Sequence, residues 1–235
     1  MRLDLLRPLY ERPGPWASVY IDTSRDARDT SVEPRWEAAR ESLARAGCDP
    51  HTVHALQDAV LDHPGRPGRH GLALFATSGE VIMRQPLTAP PRAAIAVYEP
   101  LPHVMPMISQ LGEELEEHRQ DVLDQFQSQI ERDDSAGNGL SEVVSHLSRG
   151  QVDTLLLIDD PSSTEQLWIG PQPHQVSDDP ELLRSSGFSH PPRVRADAAM
   201  LRALVGTDGS IVLVDPEEHH LHGGVAAVLR HAGAR

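Results

Sequence analysis

Leu115-Glu-Glu-His-Arg-Gln-Asp-Val-Leu-Asp-Gln-Phe-Gln-Ser-Gln-Ile130, Gly139-Leu-Ser-Glu-Val-Val-Ser-His-Leu-Ser-Arg-Gly150 and Val152-Asp-Thr-Leu-Leu-Leu-Ile158 are the stretches that decide the fold class. In the first, Leu115, Val122, Phe126 and Ile130 recur at intervals of seven, four and four, with Leu123 beside them. The remaining positions are charged or amide, so the pattern predicts a helix with one buried stripe over 113–134. Asp134 to Gly139 breaks it. Leu140, Val143, Val144 and Leu147 predict a shorter helix that Gly150 ends, and Val152 with Leu155 to Ile158 predicts a strand buried on both faces.

Outward from this block the chain divides by charge. Residues 1–107 carry 12 Arg against 13 Asp or Glu, whereas residues 108–235 carry 9 Arg against 22, a net of -13. Lys is absent, and Arg supplies all 21 basic positions. A strongly acidic half repels phosphate backbones and suits a basic protein surface; the neutral half tolerates a local Arg face on RNA. Pro100, Pro102, Pro106 and Gly112 mark the boundary. The expectation is an α/β fold: two small layered α/β domains, 1–107 and 108–235.

In the first domain Ala17 to Ile21 predicts a strand. Two helices follow, one from Pro34 to Gly47 and one opened by Asp49 as cap and Pro50 as first residue. Leu72 to Ala76 and Val81 to Arg84 predict a hairpin around Thr77-Ser78-Gly79-Glu80. Ala93 to Tyr98 completes the domain as a strand. Beyond Ile169, residues 171–192 read as an irregular acidic loop with at most a turn at 181–184. Ala196 to Val205 predicts a helix, Ile211 to Val214 a strand, and Gly224 to His231 a last helix. With nine aromatic residues in 235, Leu, Val and Ala must fill most of the core. A single Cys, at 48, excludes a disulfide framework and a Cys metal cage. No apolar signal core follows the N-terminus, and no run approaches a membrane span, so a cytoplasmic protein is expected.

Few residues point to chemistry. Asp215, Glu217, Glu218, His219, His220 and His222 follow a predicted strand, a common place for α/β sites, but their spacing matches no ligand signature and a polar loop explains them. Gly137-Asn138-Gly139 lacks the Lys and Ser/Thr of a phosphate loop and reads as a turn; Gly223-Gly224 likewise has no fingerprint around it. Asp22, Asp26 and Asp29 are interleaved with Arg25 and Arg28, which compensate them. Arg25, Arg28, Arg35 and Arg40 form a candidate RNA-contacting face, against the simpler reading of a solvated surface. Ser18, Ser24 and Ser78 have no paired His, and Trp16 and Trp168 read as core or edge residues. No catalytic residue, metal site or cofactor is expected.

Gln120 to Ile130, Gly139 to Gly150 and Gln151 to Leu157, with the late Gly223-Gly-Val-Ala-Ala-Val-Leu-Arg230, resemble the last domain of bacterial relatives of the archaeal and eukaryotic release factor 1 and Pelota superfamily, the Balon-related group of actinobacterial type. Gly14-Pro-Trp-Ala-Ser-Val-Tyr20, Gly71-Leu-Ala-Leu-Phe-Ala-Thr77 and Gly79-Glu80 are similar to its first domain. The family's middle domain has no counterpart here, and no Gly-Gly-Gln release motif is present. The resemblance implies a non-catalytic, ribosome-associated translation-stress or hibernation-like factor. Its first domain would face the ribosome, and its acidic last domain would bind a translation protein such as elongation factor Tu. The alternatives are a peptidyl-tRNA hydrolase or peptide-release enzyme, and a regulatory protein that binds a translation factor off the ribosome.

Overall fold

The computed structural model describes residues 1–24, 32–63, 68–112, 121–124, 126, 128, 137–160, 162–216 and 221–230. The chain forms two compact units: Glu11–Gln110, and Leu111–Arg235 together with Met1–Tyr10. The expected division at 107/108 placed those first ten residues in the other unit. They join the second one because Met1 and Arg2 extend its sheet, with Ile211 N–H donating to Met1 O at 2.9 Å and Arg2 bridging Ser210. The short helix α1 (Arg7–Tyr10) follows and lies against a long helix of the same unit.

The unit Glu11–Gln110 contains β1 (Trp16–Asp22), α2 (Glu33–Arg45), α3 (Pro50–Leu61), β2 (Gly71–Thr77), β3 (Glu80–Leu87), β4 (Ile95–Glu99) and all but the last two residues of α4 (Met105–Gly112). Its sheet runs β3-β2-β1-β4, all antiparallel. Alternation sends Ala17, Val19 and Ile21, with Leu72, Leu74 and Ala76, into one core with Trp36, Leu43, Leu56 and Val60 of the two helices. On the other face Tyr20 meets Phe75 edge-on, ring centroids 5.9 Å apart, and its hydroxyl donates to His103 O at 2.8 Å. The hairpin turns on Ser78 and Gly79, both at positive φ, as a two-residue loop matching strand twist requires. Thr52 Oγ1 accepts from Gly79 N at 2.7 Å and ties α3 to that turn. Residues 105–112 form a helix rather than a bare linker, because Pro106 is tolerated in a first turn and Met107 and Ile108 are buried.

The second unit holds β5 (Gly137–Asn138), α5 (Leu140–Ser148), β6 (Val152–Ile158), β7 (Gln166–Ile169), β8 (Val176–Ser177), α6 (Pro180–Ser185), β9 (Arg193–Arg195), α7 (Ala196–Gly206), β10 (Ser210–Val214) and β11 (Val225–Leu229). One sheet has the order β10-β6-β11-β5, and a smaller one has β8-β7-β9. β10 is parallel to β6; β11 is antiparallel to both β6 and β5. Leu123 and Phe126, from the described helical residues of the charged segment, pack with Leu156, Val212, Val214, Ala226 and Val228. α5 lies against β6 and β11 and beside α7. α7 buries eight side chains, four of them Ala, which lets neighbours approach closely. Both units are therefore layered α/β structures. No described helix is long and apolar enough to cross a membrane.

Three expectations change here. The predicted last helix is the strand β11: its five residues are all buried, and a short apolar run carries no period that separates strand from helix. Gly137-Asn138, expected in a turn, pairs with Ala227 and Ala226, while Gly139 has the positive φ that a turn there allows. Residues 171–192 contain β8 and α6, the latter capped by Asp179, which accepts from Glu181 N at 2.9 Å.

Two stability measurements follow. Asp49 caps α3 by accepting from Thr52 N at 2.9 Å, and the Thr52 hydroxyl and amide hold its carboxyl below the usual carboxylate range. Asp49→Ala should cost about 1 kcal/mol in urea unfolding at pH 7. A lowered folded-state value means this contribution is complete above the unfolded value near ~4 and lost as pH falls through the folded one, so wild type and variant should converge in acid. Gly139 has φ 104°, and an added Cβ would stand 2.9 Å from His222 Cδ2. Gly139→Ala should therefore destabilise the second unit by more than about 1 kcal/mol, read as a lowered urea midpoint.

Candidate functional site

In α5 the residues Val143, Val144 and Leu147 turn into the core. A second stripe, Ser141, Val144, Ser145, Ser148 and then Arg149, follows i, i+3, i+4, i+7 and i+8 spacing and so shares one face. That stripe forms one wall of a groove of about 280 Å³, whose other wall comes from residues around β8 and from α6. Val176 and Leu183 are buried, whereas Leu182 stands 60% exposed at the rim.

The groove is polarised along α5. At the N-terminal end Ser141 Oγ donates to Asp178 Oδ2 at 2.5 Å, so an exposed carboxylate sits there with a neutral partner and no ion pair among the described residues. At the C-terminal end lies the exposed Arg149, which makes no ion pair among the described residues, and His174 lines the same cavity. Three hydroxyls of the lining are occupied locally: Ser141 on Asp178, Ser148 on Ser145 O at 2.8 Å, and Ser186 on Leu182 O at 2.9 Å. The groove supplies shape, apolar surface and two charges.

The sequence-predicted candidates among the described residues do not line the groove. Arg35 Nη1 donates to Asp22 O at 3.2 Å and Ser24 O at 3.5 Å, binding the chain's own backbone. Arg40 is clamped on Glu37 through Nε at 3.0 Å and through Nη2. Five positions apart, the two lie about 140° apart around α2, while Arg25 and Arg28 fall outside the described residues. Asp26, Asp29, Glu217, Glu218, His219 and His220 also lie outside them. The His222 backbone amide donates to Asn138 Oδ1 at 3.1 Å, and no group of three His, Cys, Asp or Glu among the described residues could hold a metal ion. Ser18 Oγ accepts from His103 N at 3.0 Å. Trp16 is buried, and Trp168 in β7 carries the Arg193 guanidinium 5.5 Å from its ring centre, a cation–π contact the sequence reading passed over.

What that reading missed is the groove itself. Its visible signals are the Ser stripe beside the apolar stripe of α5 and the Leu182-Leu183 pair within acidic residues 178–186. Both became meaningful only once residues 171–192 were seen to be structured.

No protein-family model matches the chain. An uncharacterized protein of Mycobacterium tuberculosis strain CDC 1551 / Oshkosh is 36% identical over 111 residues, 46% of this chain and 29% of its own length. An uncharacterized protein of strain ATCC 25618 / H37Rv matches with the same figures. The chain thus spans less than a third of the length of these relatives. The expected membership of the release factor and Pelota superfamily is corrected: no such family matches and the relatives carry no such description. With it goes the translation, ribosome and hibernation assignment drawn from the resemblance. The blocks that suggested it, a helix stripe, a Gly stop and a buried strand, are what any layered α/β unit needs in order to pack.

Cys48, the one thiol, is not a poised nucleophile. Burial, with Asp49 adding to it, pushes its value up to about 11. A thiol-reactive disulfide reagent at pH 8 should modify it at least tenfold more slowly in the folded protein than in denaturant; equal rates would mean an exposed thiolate.

Proposed function

We propose that this chain is a non-catalytic docking factor that binds a protein partner through its acidic second unit. The observation that carries the reading is the groove of α5, β8 and α6. It combines an exposed apolar rim at Leu182 with charge at either end, in a region of net charge -13. Such a field raises the encounter rate with a basic surface, and the groove then supplies contact area that simple attraction lacks. Three of the five lining hydroxyls, Ser141, Ser148 and Ser186, donate to local partners, which supports a binding role over catalysis.

The test uses the full chain as bait in native lysate, with and without RNase, at 50 and 500 mM salt. A partner protein retained after RNase and lost at high salt is the expected result. Retention that disappears with RNase, co-sedimentation with ribosomes, or release of peptide from peptidyl-tRNA by the purified chain would each overturn it.

A further inference from the structure

The charge at each end of the groove limits what can lie in it, and this inference rests on the docking reading above. From Ser141 to Arg149 the helix rises roughly 12 Å at 1.5 Å per residue. An extended chain covers that distance in about four residues at ~3.3 Å each. One end offers the Asp178 carboxylate, which accepts from the Ser141 hydroxyl; the other offers Arg149; neither makes an ion pair among the described residues. Val144, buried on α5 between those ends, and the exposed Leu182 line the same groove.

We propose that the groove takes an extended four-residue segment of a partner protein, with a basic residue at the Asp178 end, two apolar residues over Leu182 and Val144, and a carboxylate at Arg149. The complementarity is specific to this pairing of ends. A segment basic at both ends leaves Arg149 facing a like charge, and one acidic at both ends does the same to Asp178. A segment without apolar residues leaves Leu182 in water. The long-range field of the acidic unit draws in basic partners generally, whereas the groove demands one acid as well.

The test measures fluorescence anisotropy with capped, labelled peptides carrying Arg-Leu-Leu-Asp, Arg-Leu-Leu-Arg, Asp-Leu-Leu-Asp or Arg-Ser-Ser-Asp between glycines, at 0.15 M salt with the full chain. Wild type should bind Arg-Leu-Leu-Asp at least fivefold tighter than the other three. Arg149→Asp should move first rank to Arg-Leu-Leu-Arg, and Asp178→Arg should move it to Asp-Leu-Leu-Asp. Leu182→Asp should weaken the preferred peptide at least tenfold. All three positions are exposed, and thermal melts of each variant confirm that the fold is kept. A ranking that neither charge reversal moves, or unchanged affinity in Leu182→Asp, overturns the proposal. If all three variants still capture the partner from lysate, docking stands and the groove is not its site. If the peptides are ranked as stated but no partner is captured, the groove stands and the docking reading falls.

Discussion

The second unit depends on one strand, β11, being seated between β6 and β5. Its five residues, Val225 to Leu229, are between 0% and 6% exposed, so their backbone groups must find partners inside the sheet. They do so on both sides, against Leu157 to Val152 and against Asn138 and Gly137. That pairing also fixes the groove. Gly139 N–H donates to Val225 O at 3.0 Å, and α5 begins at the next residue. The helix that lines the groove therefore starts where β11 places it. A segment near the chain's end controls the position of one about 85 residues earlier in sequence, a non-local dependence whose loop-closure entropy must be met before the sheet is rewarded.

The excess acidic charge contributes little to holding this unit together. Its described ion pairs include Arg2 with Asp4, Arg184 with Glu181, Arg195 with Asp197, and Arg7 with both Asp4 and Asp208, the last joining residues 201 positions apart. The exposed ones contribute little, about 0–1 kcal/mol each, and Arg195 with Asp197 is the part-buried exception. Stability comes from aliphatic packing around α7 and the sheet, and the excess carboxylates remain on the surface. A protein that keeps so large an uncompensated charge accepts self-repulsion, and the return is a field that acts on other molecules.

Much of the fold was legible in sequence because local chemistry agreed with tertiary packing. Asp49-Pro50 announced a capped helix start, Ser78-Gly79 a tight hairpin, and Val143, Val144 and Leu147 an amphipathic helix. The failures share one cause, namely identity conferred by neighbours rather than by pattern. Val225-Ala-Ala-Val-Leu229 has helix-favouring Ala at its centre, and only its place between two strands makes it a strand. Val176-Ser177 is too short to show alternation. The groove was invisible because half its wall comes from residues 171–192, whose Pro, Ser and Asp content resembles a loop. Of the expected Arg face, Arg35 and Arg40 share a helix but not a side of it, and Arg25 and Arg28 lie outside the described residues. The family resemblance rested on patterns that packing alone produces.

Hydrogen exchange by mass spectrometry on the full chain, free and with its captured partner, tests the central claim most directly, that the acidic unit docks a protein through the groove. Protection gained in residues 141–149 and 174–186, with the unit Glu11–Gln110 unchanged, is the predicted result. Protection confined to residues 11–110, with both groove walls exchanging as in the free protein, would contradict it.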